Sequence, residues 1–254
     1  MQRADLLIVE KGLASSRAQA QRLISSHGVQ WQDNHGEWHL LQKASQPLST
    51  RTCLRLCDDS ETRYVSRGGL KLAGALSHCE LDVNGLTCLD IGQSTGGFTD
   101  CLLQAGAAHV VGIDVGHSQL HPSLRDNPRV TSLEKINARA LPAELLAHTE
   151  KRRGFDLAVM DVSFISQTLI LPSLAALLCD GGYLLALVKP QFEAGPEHLN
   201  KQGLLKSDRI LPEIRQRICT TCEENHLQVL DYFSSQINGG DGNREFFVFC
   251  QHKT

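Results

Sequence analysis

The sequence predicts an α/β chain in which a doubly wound, mostly parallel sheet follows a small α+β unit. Three observations carry this reading. From residue 86 onward, strand-sized apolar runs alternate with helical stretches, the arrangement of a parallel sheet covered on both faces. The first of these runs feeds a turn containing Gly92, Gly96 and Gly97, where missing side chains let the backbone approach a ligand closely. Residues 1–60 follow a different order of helix, helix and hairpin, and a polar stretch over 58–64 separates the two patterns.

In the leading unit, Leu6, Leu7, Val9 and Leu13 are expected to form one apolar helix face, closed by Glu10-Lys11-Gly12. Ser15-Ser16 offers capping hydroxyls to a second helix, whose buried side would be Ala18, Ala20, Leu23 and Ile24, with Gly28 after its end. Val29-Gln30-Trp31 reads as a short strand, Asp33-Asn34-His35-Gly36 as a hairpin turn and 49–56 as a further strand. Lys11, Arg17 and Arg22 gather around the second helix. Such side chains either hold phosphates without reading sequence or form an ordinary solvated face.

In the larger unit, strands are expected over 86–91, 109–113, 130–133, 155–160 and 183–188. Helices are expected from about Phe98 and over 117–125, 142–150 and 166–179. A long helix over about 207–225 and a strand near 228–234 follow. A last strand over 245–250 comes after the loop Asn238-Gly239-Gly240-Asp241-Gly242.

Composition narrows the function classes. The chain has 254 residues, 41% of them hydrophobic, enough for both units to bury a core. The formal net charge of -3 does not advertise a nucleic-acid partner, so any such site must rest on local basic patches. Met1-Gln2-Arg3-Ala4-Asp5 leads into a helix rather than a secretory signal, and no apolar run reaches membrane-spanning length. The 9 cysteines therefore read as reduced thiols, and a cytoplasmic location is expected. Cys219-Thr220-Thr221-Cys222 is the one CxxC; zinc needs further ligands, so no metal is expected and the pair reads as small, partly buried helical thiols.

Six strings carry the chemistry. Leu89-Asp90-Ile91-Gly92-Gln93-Ser94-Thr95-Gly96-Gly97-Phe98 is a strand, a glycine turn and a helix start, not spaced as the dinucleotide fingerprint. Asp90 at the strand's end suits the amino group of an amino-acid-like ligand. In Gly112-Ile113-Asp114-Val115, an acid about twenty residues past the glycine turn suits ribose hydroxyls, or simply caps a helix. Met160-Asp161-Val162-Ser163-Phe164 ends the fourth strand and Leu187-Val188-Lys189-Pro190-Gln191-Phe192-Glu193 the fifth. Ligands of open α/β sheets sit beyond these strand ends, so Asp161 and Lys189 face each other across a site or form a structural ion pair. Ser66-Arg67-Gly68-Gly69-Leu70-Lys71-Leu72 adds Lys71, and Gly242-Asn243-Arg244-Glu245-Phe246 adds Glu245.

Leu13-Ala14-Ser15-Ser16-Arg17 with Ala20, Leu23 and Ile24 resembles the RNA-binding module of ribosomal protein S-four. Tyr64-Val65-Ser66-Arg67-Gly68-Gly69-Leu70-Lys71-Leu72, the block 94–100, Asp114-Val115-Gly116 with Gln119-Leu120, and the strings 161–166 and 188–193 resemble the TlyA, or haemolysin A, family over nearly the whole chain. The resemblance implies an S-four-like domain over 1–60, a linker over 61–65 and an FtsJ-like methyltransferase domain over 66–254. The implied fold is a Rossmann-like class I methyltransferase sheet of seven strands with the last antiparallel. The implied activity is transfer of methyl from S-adenosylmethionine to a cytidine ribose 2′-hydroxyl in ribosomal RNA of the large subunit and, in some members, the small one.

By the same resemblance the catalytic residues are Lys71, Asp161, Lys189 and Glu245. The cofactor contacts are Asp90, Gly92, Gln93, Ser94, Thr95, Gly96, Gly97, Phe98, Asp114, Val115, Asn137 and Asp161. RNA contacts are Lys11, Arg17, Arg22, Arg63 and Arg67, with ribosomal RNA or a ribosomal subunit as partner, no membrane, and a monomeric chain. Gln93 departs from the family's usual small residue and either adds a hydrogen bond or crowds the cofactor. Lys201-Gln202-Gly203-Leu204 departs from the usual double glycine. Lys189 is expected to act as base or as stabiliser of a developing alkoxide. Three rivals stand beside this reading. No long apolar helix or run of barrel strands supports a pore former. A binding-only assembly factor has no reason to keep all four catalytic residues. A base-modifying enzyme calls for an Asn-Pro-Pro-Tyr-like loop where Asp161-Val162-Ser163-Phe164 stands.

Overall fold

The computed structural model describes residues 1–57, 62–239 and 242–253. Residues 58–61 of the expected polar stretch, and Gly240 and Asp241 of the expected late loop, lie outside the described residues. The chain divides into two compact units, Met1–Tyr64 and Val65–Thr254.

The first unit runs β1 (Gln2–Arg3), α1 (Ala4–Glu10), α2 (Arg17–Ser25), β2 (Val29–Gln32), β3 (Trp38–Leu40), β4 (Pro47–Leu48) and β5 (Leu54–Leu56). The strands β3, β2 and β5 form an antiparallel sheet, and β1 pairs with β4. Ser16 caps α2 by accepting from the Gln19 amide, one of the N–H groups that a helix start leaves unpaired. Ala4, Leu7 and Ile8 of α1 meet Ala20, Leu23 and Ile24 of α2 in the core. Leu6, expected on the buried face, is 41% exposed, because the three- and four-residue spacing that points inward starts at Ala4. Ala18 is exposed for the same reason.

The second unit runs α3 (Arg67–His78), β6 (Thr87–Ile91), α4 (Gly97–Gln104), β7 (His109–Asp114), α5 (Pro122–Arg125), β8 (Val130–Glu134), β9 (Phe155–Met160) and α6 (Leu171–Ala175). It continues with β10 (Leu178–Val188), α7 (Pro190–Glu193), α8 (Leu211–Glu224), β11 (Leu227–Ser234) and β12 (Phe246–His252). The strand order is β11-β12-β10-β9-β6-β7-β8. All neighbours from β8 to β10 are parallel, and β12 alone runs against the others, between β10 and β11. The seven-stranded class I sheet with its antiparallel last strand is therefore present. Leu89, Ile91, Val111, Ala158 and Leu184 are fully buried at its centre.

The expected helices over 117–125, 142–150 and 166–179 are largely replaced. Only Pro122–Arg125 and Leu171–Ala175 are α-helical, and Ala143–His148 is a 3-10 turn. Proline sets each start, since it fits a helix's first turn but not its interior. Residues 117–121 are thereby left to the loop beyond β7. The Lys71 string, given no element by the sequence reading, is the start of α3.

Candidate active site

Four parallel strands end side by side and deliver Ile91, Asp114, Met160 and Val188 to one rim of the sheet. The loop after β6 folds back across this rim. The Gly92 and Gln93 amides donate to the Ile113 carbonyl at 2.9 and 3.0 Å, and the Ser94 amide donates to Asp114 Oδ2 at 2.8 Å. The backbone of Gly92 is left-handed, and a Cβ there would collide with the Asp161 carbonyl. Glycine is required for both reasons.

Two cavities open over the rim. The larger, about 520 Å³, has Ile113, Val115, Ile136 and Val162 as apolar walls and includes Asp114 and Asn137. The smaller, about 170 Å³, is mostly polar and lies among Ser66, Gly92, Thr95, Gly97, Asp161 and Lys189. Gly92, Ser94, Asp161 and Ser163 belong to both. An apolar slot beside one acid, continuous with a small polar chamber, fits S-adenosylmethionine: adenosine in the first, the amino-acid end in the second. Asp114 already accepts from the Ser94 and Gly116 amides, which fixes its carboxylate at the mouth of the slot.

The expected cofactor residues do not all reach these cavities. Gly92, Gln93, Ser94, Thr95, Gly97, Phe98, Asp114, Val115, Asn137 and Asp161 line them. Gly96 lines neither; its left-handed backbone starts α4, and a Cβ would strike Leu124 and Leu120. Asp90 is fully buried and accepts from Thr99 Oγ1 at 2.7 Å, while its Oδ1 has no hydrogen-bond partner. Burial, with Thr99 opposing it, pushes the Asp90 carboxyl up to about 7. Gln93 lines the smaller cavity, and its side chain is tied to Thr99 and Ser132. Its Nε2 donates to Thr99 Oγ1 at 3.0 Å, and its Oε1 accepts from Ser132 Oγ at 2.6 Å. It occupies the space that a side chain at Gly112 would take.

The four expected catalytic residues form two ion pairs. Lys189 Nζ lies 2.5 Å from Asp161 Oδ1 and donates to Ser163 Oγ at 2.9 Å. Lys71, reaching from α3, donates to Glu245 Oε2 at 2.5 Å. Three of these side chains are almost enclosed: Lys71 is 10%, Glu245 3% and Lys189 13% exposed, whereas Asp161 is 23% exposed. Phe246 pairs with Val188 in the ladder, so Glu245 and Lys189 project from the same end of neighbouring strands. Charges this enclosed persist only when paired.

The model of the FtsJ-like methyltransferase family matches residues 64–252. Along its whole length the chain also resembles a Mycobacterium tuberculosis protein named 16S/23S rRNA (cytidine-2′-O)-methyltransferase TlyA, at 38% identity over 99% of this chain and 90% of the relative. The chain belongs to the FtsJ-like methyltransferase family, in its TlyA branch. A Brachyspira hyodysenteriae protein named Hemolysin A is 38% identical over 73% of this chain and 76% of its own. A solved Streptococcus thermophilus structure carrying a hemolysin name superposes with a TM-score of 0.73, at 38% identity, covering 99% of this chain and 88% of that one. S-adenosylmethionine is accordingly the cofactor of this FtsJ-like chain.

Sequence reasoning passed over two features of this FtsJ-like site. Glu193 ties the loops after β9 and β10 together: it accepts from Ser166 Oγ at 2.6 Å and from the Gln167 amide at 2.8 Å. Phe164 stands 89% exposed beside Ser163, with a left-handed φ of 63° and its ring 4.9 Å from that of Phe192. An aromatic residue at positive φ was not visible in the sequence. An aromatic within three residues of Asp161, after a strand end, was the available signal.

Of the residues expected to touch RNA, Lys11, Arg17, Arg22 and Arg63 belong to the first unit and Arg67 to the second. Arg17 donates to Asp5 Oδ2 at 2.8 Å, and Asp5, fully buried, also holds Arg3 and Gln21. Those hydrogen bonds, Arg3's foremost, hold the Asp5 carboxyl well below the ordinary range. Lys11 is exposed at the end of α1, and Arg22 is half-buried on α2. Arg63 lies over the Tyr64 ring at 5.2 Å. Arg67 opens α3 in the second unit, 3.4 Å from the Asn238 carbonyl. The thiols of the CxxC are on α8, with Cys222 in the core.

Proposed function

We propose that this chain methylates the ribose 2′-hydroxyl of a cytidine in ribosomal RNA, using S-adenosylmethionine, with residues 1–60 as an S-four-like RNA-binding domain. The observation that carries the reading is the Lys189–Asp161 pair at the junction of the two cavities. When bound, the cofactor supplies a methyl group already activated by its sulfonium charge. What remains for the protein is to align a weak nucleophile and stabilise the charge that grows on it.

Lys189 is ion-paired with Asp161 and donates to Ser163, which leaves its ammonium with N–H groups to donate to the ribose oxygen. A fixed cation there favours alkoxide character during attack. Asp161, lining both cavities, orients that ammonium. Lys71 and Glu245 hold each other at the adjoining strand end and would complete the charge network around the site. Asp114 would receive the cofactor's ribose hydroxyls, and Asp90, buried at the end of β6, would attract its amino group. Phe164, exposed next to Ser163, offers its ring to the cytidine base; aromatic stacking of a base is worth about 1–3 kcal/mol. Arg17 and Arg22 of the first unit, with Lys11, Arg63 and Arg67, would meet phosphates. In this reading the chain works as a monomer in the cytoplasm.

Removing one oriented donor at a developing oxyanion typically costs about 10²–10³ in turnover. Lys189→Ala is therefore expected to lose methyl transfer by that factor, while S-adenosylhomocysteine still binds within a few-fold by calorimetry. The assay maps ribose methylation on ribosomal RNA from cells lacking the protein. Near-normal turnover by Lys189→Ala would remove the ammonium from the mechanism. Base rather than ribose methylation would remove the substrate assignment.

A further inference from the structure

A further cavity of about 610 Å³ lies at the same rim, between the first turns of α8 and the ends of β11 and β12. Its walls include Arg215, Gln216, Tyr232, Ser234, Arg244 and Phe246. Ser234 pairs with Phe246, and Phe246 with Val188, the residue before Lys189. The cavity thus adjoins the catalytic strand ends but shares no residue with either cofactor cavity.

Its side chains form a repeated pattern. The rings of Tyr232 and Phe246 stack at 5.5 Å and 26°. Arg215 lies 5.4 Å over the Tyr232 ring and Arg244 lies 5.5 Å over the Phe246 ring. Both arginines are exposed. Arg244 is braced by Asp208 at 3.0 Å, and among the described residues Arg215 has no carboxylate ion-pair partner. Two guanidinium groups therefore lie over aromatic rings and line one hollow. A wholly apolar ligand would leave those donors unpaired, and a cation would face two positive charges. Guanidinium forks match phosphate oxygens, and guanidinium and aromatic planes stack on nucleobases.

We infer that this cavity holds a nucleotide of the substrate RNA strand next to the one being methylated, with Arg215 and Arg244 on its phosphate and the Tyr232–Phe246 stack beside its base. The inference rests on RNA being the substrate. It adds a second grip on the strand, independent of the first unit, that would fix which nucleotide reaches Lys189.

The test uses the full chain and a labelled oligocytidylate, titrated by anisotropy over a salt series. Arg215→Ala and Arg244→Ala are each expected to weaken binding about fivefold or more. Each is expected to lower the slope of log affinity against log salt by about 0.7, the share of one phosphate that is no longer neutralised. Arg→Lys variants keep the slope but recover affinity only in part. S-adenosylhomocysteine affinity and the melting temperature serve as folding controls and should not move. In a second arm, ultraviolet cross-linking of the wild-type chain should join the strand to the peptide bearing Tyr232. Unchanged affinity and slope in the double alanine variant, or no cross-link there, overturns the inference. So does cytidine monophosphate filling the cavity as tightly as the strand, which would assign it to a free nucleotide. Ribose methylation by the wild-type chain is scored in parallel. If it is absent while the arginine variants lose strand affinity, the substrate reading fails and the cavity stands as an RNA site; the opposite result removes the cavity alone.

Discussion

Asp90 lies beneath the cofactor loop with no exposed surface and one unpartnered oxygen, and its replacement by asparagine tests whether burial governs its charge. Burial raises the carboxyl from 3.8 to about 7. The folded chain therefore keeps a proton that the unfolded chain releases above about pH 4. The unfolded state binds fewer protons in this window, so stability falls as pH rises from about 4 to about 7 and levels off above it. At about 1.4 kcal/mol per pH unit, the whole effect is roughly 4 kcal/mol, of which roughly 2 falls between pH 5.5 and 7. Asp90→Asn cannot ionise and still accepts from Thr99, so its urea-unfolding free energy should lack this slope and exceed that of the unmodified chain at pH 8. A ligand amino group meeting Asp90 would favour the ionised form. S-adenosylhomocysteine affinity should then rise by up to about tenfold per pH unit below pH 7, and only with Asp90 present. Parallel stability curves for the two proteins between pH 5.5 and 8 would refute the reasoning.

Gly112→Ala should destabilise the second unit by about 1–3 kcal/mol, because its Cβ enters the space of Gln93; Gln93→Ser in the same chain should recover much of that loss in urea unfolding. Phe164→Gly should relieve a backbone strain of order 1–3 kcal/mol and so raise the melting temperature, while the KM for RNA rises; an unchanged KM would separate Phe164 from the base. Asp5→Asn should weaken the hold on Arg3 and Arg17, costing about 1–3 kcal/mol of first-unit stability at neutral pH. Since its folded carboxyl is depressed, the stability it contributes is present above about pH 4 and lost on acidification, and denaturation of Asp5→Asn should show less of that acid dependence.

Much of the site was legible because it follows from sheet topology. Asp114, Asp161 and Lys189 each stand at or just beyond the end of an apolar strand run, and the parallel ladder brings such ends together whatever the loops do. Glycines 92 and 97 were legible for a similar local reason, since each close backbone approach excludes a side chain. Strand positions were equally readable, because fully buried runs leave little ambiguity of period.

What the sequence alone determined was thus the strand order of chemistry: which residues arrive at the rim, and that an acid and a lysine meet there. Tertiary structure decided the partners. It split the four expected catalytic residues into Lys189–Asp161 and Lys71–Glu245, tied the Gln93 side chain into a buried chain with Thr99 and Ser132, and bound Arg17 to Asp5. It also shortened helices that periodicity had extended through Pro122 and Pro172. The physical reason is common to all four. Side-chain direction, hydrogen-bond choice and helix length are settled by neighbours distant in the chain, whose free-energy contributions outweigh the local preferences that a linear reading can see.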